Sequence, residues 1–355
     1  ATGDHVNAYT NYFGHRDAIN YLGQYNFNLD NKIVFGVDSE FDSSRYPKDW
    51  SGGEMRYHDE NIVSQFFDLQ FRPFEKLYST FGLRSDDHTT VGRKTSGRAT
   101  MNFKLNKNSK IRSSFGAGVR FPALYDYKYG STTIVDNGGA LEDLKAERGL
   151  SFDVGYDTYL DNLNLGLSVS LFRTEQKNSL LNNARTGWVQ GNATGVNTSE
   201  GIELSGNWKP TDKKISLDFG YTFTDSYDAN SCNPDEMASY ADGECHKRGS
   251  GVQSAKVRVP RHAVQSRINY NLKPNLKTSL IGRYNSEVRD LGNQNDGWVD
   301  QILTDYQVFD LETNYQLSGY KIFINVDNIL DEKYQQAHEY STMGRTFNFG
   351  IRRVY

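Results

Sequence analysis

Apolar and polar positions alternate with a period of two along most of the chain. Over 163–171, Leu163, Leu165, Leu167, Val169 and Leu171 occupy one face, and Asn164, Gly166, Ser168 and Ser170 the other. The sorting recurs over 215–224, where Ile215, Leu217, Phe219, Tyr221 and Phe223 oppose Ser216, Asp218, Gly220, Thr222 and Thr224. It recurs again over 98–105, with Ala99, Met101, Phe103 and Leu105 against Arg98, Thr100, Asn102 and Lys104. An extended strand places alternate side chains on opposite faces, whereas a helix scatters them around its axis. The pattern therefore predicts strands with one dry and one wet face.

Tight polar turns are expected near Asp30-Asn31, Phe74-Glu75, Asn108-Ser109, Asp161-Asn162, Thr211-Asp212, Pro274-Asn275 and Ser318-Gly319. Longer polar stretches alternate with them, around 44–58, 122–146, 176–190, 226–252, 286–299 and 329–343. Short turns on one side and long loops on the other are the layout of outer-membrane barrels, with the short turns periplasmic. Seven hairpins follow Asp30, and residues 1–29 are expected to supply two further strands. The total is about sixteen antiparallel strands, an even number as bacterial barrels require.

Composition sharpens this picture. No apolar run reaches the roughly 20 residues of a membrane helix. The mean hydropathy is -0.70, yet the 355 residues include 23 Tyr, 20 Phe and 32 Gly with only 7 Pro. A barrel reconciles these numbers, because only alternate strand residues face lipid while lumen, turns and loops stay polar. Composition alone equally allows a secreted β-solenoid or a lectin-like sandwich. A net charge of -4 carries no basic signature, so no nucleic-acid partner is expected. The last strand narrows the choice: Phe347, Phe349, Ile351 and Tyr355 share a face, interrupted by Arg353. Alternating apolar residues ending in an aromatic resemble the C-terminal signal that the barrel-assembly machinery recognises for outer-membrane insertion. Near the periplasmic end Arg353 costs about 0–1 kcal/mol, rather than the ~2–4 kcal/mol of the midplane. The competing reading is an edge strand of a soluble sandwich.

Several motifs in order resemble TonB-dependent outer-membrane receptors over most of the chain. Val326-Asp327-Asn328-Ile329-Leu330-Asp331-Glu332-Lys333-Tyr334 resembles that family's penultimate-strand motif, and Tyr340 with Gly344-Arg345-Thr346-Phe347 the start of its final strand. Asn192, Gly195, Ser199 and Gly201-Ile202-Glu203 are similar to its asparagine–glycine–GvE strand pair, and Pro260-Arg261-His262 to the opening of a later strand. Gly118-Val119-Arg120-Phe121-Pro122-Ala123-Leu124 with Tyr129-Gly130 resembles its F-x-A-P…L-Y-G loop opening, although here the proline precedes the alanine. Leu144-Lys145-Ala146-Glu147 stands in place of L-x-P-E, without the proline. Within the family, Arg84-Ser85-Asp86-Asp87 with Gly92-Arg93, and the spacing around Tyr340, Thr342 and Gly344-Arg345, resemble the vitamin B12 receptors.

The resemblance implies an integral protein of the bacterial outer membrane, with about 22 strands and a plugged lumen in the complete transporter. With about sixteen strands, the chain is expected to be the C-terminal portion of such a barrel, one domain over 1–355, without its plug. The resemblance also implies outer-membrane lipid as a partner, and a TonB-type energy-coupling protein engaged through the plug. The implied activity is uptake of a scarce large ligand: cobalamin first, a ferric siderophore or haem second. A passive porin is the rival class, since sixteen strands can enclose an aqueous channel.

Candidate sites each have two readings. Cys232 and Cys245 lie in the 226–252 loop with His246. An oxidising compartment favours a loop-closing disulfide, worth about 3 kcal/mol, over a metal site, which lacks further ligands. Asp225, Asp228, Asp235, Glu236, Asp242 and Glu244 cluster around the same loop; they are calcium ligands or a solvated acidic loop without EF-hand spacing. Tyr125, Tyr127, Tyr129, Trp188 and Trp298 lie in outer loops. Their flat faces suit a large planar ligand, or they belong to the interfacial aromatic girdle. The seven histidines (His5, His15, His58, His88, His246, His262, His338) are scattered, and no catalytic motif emerges. Gly116-Ala117-Gly118 lies within a strand and lacks the rest of a nucleotide loop. No enzyme activity and no resident cofactor are expected.

Overall fold

The computed structural model describes residues 13–47, 55–124, 144–181, 191–192, 195–211, 214–228, 254–290 and 301–353. In chain order its strands begin β1 (Phe13–Asn26), β2 (Lys32–Pro47), β3 (Met55–Phe74), β4 (Leu77–His88), β5 (Gly92–Lys104) and β6 (Ser109–Arg120). They continue with β7 (Glu147–Leu160), β8 (Leu165–Lys177), β9 (Leu180–Leu181), β10 (Gly191–Asn192), β11 (Val196–Trp208), β12 (Ile215–Asp228) and β13 (Ser254–Ala255). The last are β14 (His262–Lys273), β15 (Leu276–Asn285), β16 (Val288–Asp290), β17 (Gln301–Leu303), β18 (Tyr306–Leu317), β19 (Tyr320–Asp327), β20 (Gln335–Ala337), β21 (Tyr340–Ser341) and β22 (Thr346–Arg353). Among the described residues the fifteen long strands pair in chain order, and the short β13 beside β12 brings the sheet to sixteen strands. The pairs β9–β10, β16–β17 and β20–β21 are small separate hairpins in the loops.

Two compact units divide the chain: residues 1–101, 114–151 and 175–197, and residues 102–113, 152–174 and 198–355. In the first, β1 to β4 pair antiparallel, with Leu22 opposite Gly36 and Phe35 opposite Phe67. In the second, β11, β12, β14, β15, β18, β19 and β22 pair the same way, and Ile322, Ile324 and Val326 face Ile351, Phe349 and Phe347.

The two faces of these strands invert the usual rule for a protein in water. In the first unit Phe35, Val37, Phe81 and Leu83 are exposed, whereas Glu60, Ser64, Asp86 and His88 are buried. In the second, Ile202, Leu204, Ile268, Leu280 and Ile324 are exposed, whereas Ser170, Ser226, Ser279 and Asp310 are buried. Among the described residues only Leu144, Ala146, Leu303 and Val308 form buried apolar core. Apolar exposure on this scale is stable only against an apolar solvent. No helix of the described residues is long and apolar enough to cross a membrane, so any crossing is made by strands.

The expected turns and the seven hairpins after Asp30 match the strand boundaries. Two expectations need correction. The 44–58 loop is shorter, because β2 runs to Pro47 and β3 starts at Met55, with Arg45 paired to Tyr57. The runs Asp42-Ser43-Ser44-Arg45 and His58-Asp59-Glu60-Asn61 are polar without alternation, which hides a strand from a period-two reading. Of the two strands expected across 1–29, one is β1 (Phe13–Asn26), and residues 1–12 lie outside the described residues. Asp225 and Asp228 belong to β12 and not to the loop that follows it. Asp225 sits opposite Glu200 on β11.

Candidate functional site: polar strand faces and clamped loop bases

Polar side chains on the wet face of the first unit form a ladder of cross-strand ion pairs. Arg16 on β1 grips Asp42 on β2 through two hydrogen bonds, at 2.6 and 2.8 Å, and reaches Glu40 at 3.0 Å. Arg84 on β4 donates to Asp38 at 2.8 Å and to Asp86 at 2.7 Å, and Ser64 also donates to Asp86 at 2.6 Å. Below them Arg98 pairs with Asp68 at 2.7 Å. At the loop end His88 is buried. Its Nδ1 accepts the amides of Thr90 and Val91 at 3.1 and 3.2 Å. The ring proton therefore sits on Nε2, which donates to Glu60 at 3.1 Å. The ring also stacks on Phe121 at 4.6 Å.

Motif residues of the same unit clamp two loop bases together. The Asn192 side chain acts as a surrogate peptide: its Oδ1 accepts the Lys145 amide at 2.7 Å, and its Nδ2 donates to the carbonyls of Lys145 and Asn178 at 2.8 and 2.7 Å. Glu147, two residues on, accepts from Arg120 and from the Leu180 amide, each at 2.8 Å. Leu144 and Ala146 between them are buried. These bonds join the ends of the 122–146 and 176–190 stretches, so the L-K-A-E segment is held without the family's proline.

The second unit repeats both devices. Arg112 reaches Asp157 at 3.3 Å, Arg267 pairs with Glu312 at 2.9 Å, and Arg283 with Asp310 at 2.6 Å. Asp310 also accepts the Asn328 amide at 2.8 Å. Asn328 is buried and has a positive φ of 52°, a left-handed conformation that asparagine tolerates better than most residues. Its side chain accepts the Glu332 amide at 2.8 Å and donates to the Glu332 carbonyl at 3.0 Å. Asp331 then accepts the Arg345 amide at 2.8 Å. That bond, with Lys333, holds the Asp331 carboxyl below the ordinary carboxylate range. Tyr334 stacks on Tyr306 at 4.3 Å, and burial pushes its phenol upward. An open pocket of about 720 Å³ lies at the turn end of this unit, lined among others by Lys104, Lys110, Asp157, Ser168, Asn207 and Asp218.

Ion-paired guanidinium groups on a wet face make a wall that solvent and polar ligands can touch at little cost, because each charge already has a partner. Chemistry of bond breaking needs more, and no nucleophile–base pair stands out among the described residues. No group of three metal-ligating side chains occurs among them either. Tyr125, Tyr127, Tyr129, Trp188, Trp298, Cys232, Cys245 and Tyr355 lie outside the described residues, as do Asp235, Glu236, Asp242 and Glu244. Phe347, Phe349 and Ile351 share one exposed face of β22. Sequence reasoning missed Glu60, Asp290 and Asp310, single carboxylates whose partners lie far away along the chain.

A family model described as TonB dependent receptor-like, beta-barrel, matches residues 1–329. The chain belongs to the TonB-dependent receptor β-barrel family. Its fold is therefore that of an antiparallel transmembrane barrel wall, integral to the bacterial outer membrane, with the exposed apolar face against lipid and the ion-paired face toward the lumen. Among solved structures it is similar to the siderophore receptor PirA from Acinetobacter baumannii, at 16% identity and a TM-score of 0.70, covering 96% of this chain and 55% of that one. It is also similar to the ferric-catecholate import receptor Fiu from E. coli K12 (15% identity, TM-score 0.68, 96% and 54% covered). The copper transporter OprC gives 16% identity and a TM-score of 0.70, with 98% and 57% covered. The chain thus spans about half the length of the receptors it resembles. A search of the curated proteins finds no match.

Proposed function

We propose that the chain is wall of a receptor that imports a scarce, large ligand across the outer membrane, with work supplied by a TonB-type partner through a plug. The family match carries this reading, and it favours a receptor over a passive porin. The ligand class we favour is a ferric siderophore. Solved structures of similar fold are named as siderophore or ferric-catecholate receptors, and a wall rich in guanidinium and carboxylate pairs suits a polar, charged chelate. Haem belongs to the same group of iron ligands. Cobalamin is the second reading, resting on the Arg84-Ser85-Asp86-Asp87 and Gly92-Arg93 segments. Those residues are held by ion pairs within the wall, Arg84 with Asp38 on β2 and with Asp86 on its own strand, and Arg93 on β5 with Asp87 on β4. Ion pairing within the wall accounts for them without a ligand, which lowers the weight of the cobalamin reading.

Further parts of the proposal concern residues that lie wholly or partly outside the described set. Tyr125, Tyr127, Tyr129, Trp188 and Trp298 would supply aromatic ligand contacts, and Cys232–Cys245 a disulfide closing the outer loop. Phe347, Phe349, Ile351 and Tyr355 would present the insertion signal to the barrel-assembly machinery, and 1–355 would form one barrel domain. Titration calorimetry on the full-length protein in lipid nanodiscs tests the ligand class. A ferric tris-catecholate is expected to bind saturably with a Kd of about 1 μM or tighter, and cyanocobalamin to give no heat. Binding of cyanocobalamin alone reverses the order of the two ligands. Heat from neither, with free flux of small solutes through reconstituted protein, contradicts the receptor reading.

A further inference from the structure

The second unit spends a fully buried carboxylate where strand pairing does not need one. Asp290, at the end of β16, has no exposed surface. Its Oδ1 accepts Nε of Arg258 at 2.8 Å, and its Oδ2 accepts the backbone amide of His338 at 2.6 Å. The donors come from two other outer segments, 32 and 48 residues away in the chain. Two further bonds join the first pair: the Arg258 amide donates to the Arg289 carbonyl, and the Arg289 guanidinium to the Ala255 carbonyl, each at 2.8 Å. Arg258 adopts a positive φ of 60°, a conformation that costs a non-glycine residue about 1 kcal/mol or more.

Burying a carboxylate in an ion pair adds little net stability compared with apolar packing, but removing its partners leaves the charge stranded. Its use is to specify one arrangement over others. The strained arginine points the same way, since its backbone accepts an unfavourable conformation with Nε against the buried carboxylate, while the rest of the side chain stays exposed. We propose that Asp290 is a positioning residue that makes three outer segments, around 254–261, 286–290 and 328–345, behave as one preformed rim for ligand capture. Preorganisation raises affinity by removing the cost of ordering loops on binding. The rim's role in capture rests on the receptor reading above, whereas the coupling of the three segments does not.

The test is Asp290→Asn in the full-length protein in nanodiscs, with Asp290→Glu as the conservative variant. Hydrogen exchange should accelerate at least about tenfold, in step, in 255–258 and in 335–341, with the amides of β14 and β15 unchanged. Affinity for a ferric tris-catecholate should fall about tenfold, while the urea midpoint of the sheet stays put. Asp290→Glu should restore part of both effects. Acceleration confined to 286–290 would overturn the coupling, and unchanged affinity despite loosened segments would overturn the role in capture. If the parent protein binds no chelate, the receptor's ligand reading fails, and the exchange arm still decides whether Asp290 couples the segments.

Discussion

Ile268→Arg is expected to destabilise the folded wall in a bilayer by about 2–4 kcal/mol, the cost of an arginine facing lipid near the midplane. Ile268 sits in the middle of β14, exposed, with Leu217 of β12 and Leu280 of β15 as its cross-strand neighbours. All three present hydrocarbon to the same side, so a guanidinium there has neither water nor a carboxylate within reach. The opposite face gives the control. Thr222→Arg places the same side chain opposite Glu203, where it gains a partner, and should shift stability by less than about 1 kcal/mol. Reversible urea unfolding from lipid vesicles measures both. Equal costs for the two substitutions would mean that the faces are not differently solvated.

Gly201→Ala should be almost as damaging, at about 1–3 kcal/mol, although it adds one methyl group to a strand. Gly201 opens the Gly201-Ile202-Glu203 motif on β11. A Cβ at this position would press on the backbone carbonyl of Phe223 and come within 2.8 Å of the Phe172 ring. The carbonyl belongs to the neighbouring strand and cannot rotate away as a side chain would, so the strands must separate or bend. Gly118→Ala on β6 meets nothing within 4 Å and should leave stability within about 0.5 kcal/mol. The same unfolding measurement separates the two. The comparison assigns the motif glycine a packing role and removes it from the candidates for ligand contact.

The alternation along 163–171, 215–224 and 98–105 made the strands legible, because lipid and water demand different side chains on the two faces. Beyond the lipid both faces are wet and the signal disappears, which is why β2 and β3 extend through residues that read as loop. Motif residues were visible as a pattern, yet their work was not. Asn192 substitutes for a peptide group, and Asn328 closes a left-handed turn over Asp310; neither role can be read from spacing. Asp290 left no trace in the sequence at all, since its donors are remote and nothing periodic surrounds it. The ion-pair ladder was foreseen only as polar alternation, because the choice of carboxylate for each arginine is fixed by register across strands.

The most direct test of the wall is a nitroxide scan from position 263 to 270 along β14, in the full-length protein in lipid bilayers. Labels at 264, 266, 268 and 270 should be accessible to oxygen, which dissolves in lipid, and shielded from a water-soluble nickel chelate. Labels at 263, 265, 267 and 269 should show the reverse, giving two accessibilities that oscillate with a period of two and out of phase. Nickel accessibility at 264, 268 and 270 equal to that at their neighbours would contradict a lipid-facing wall, and with it the outer-membrane receptor.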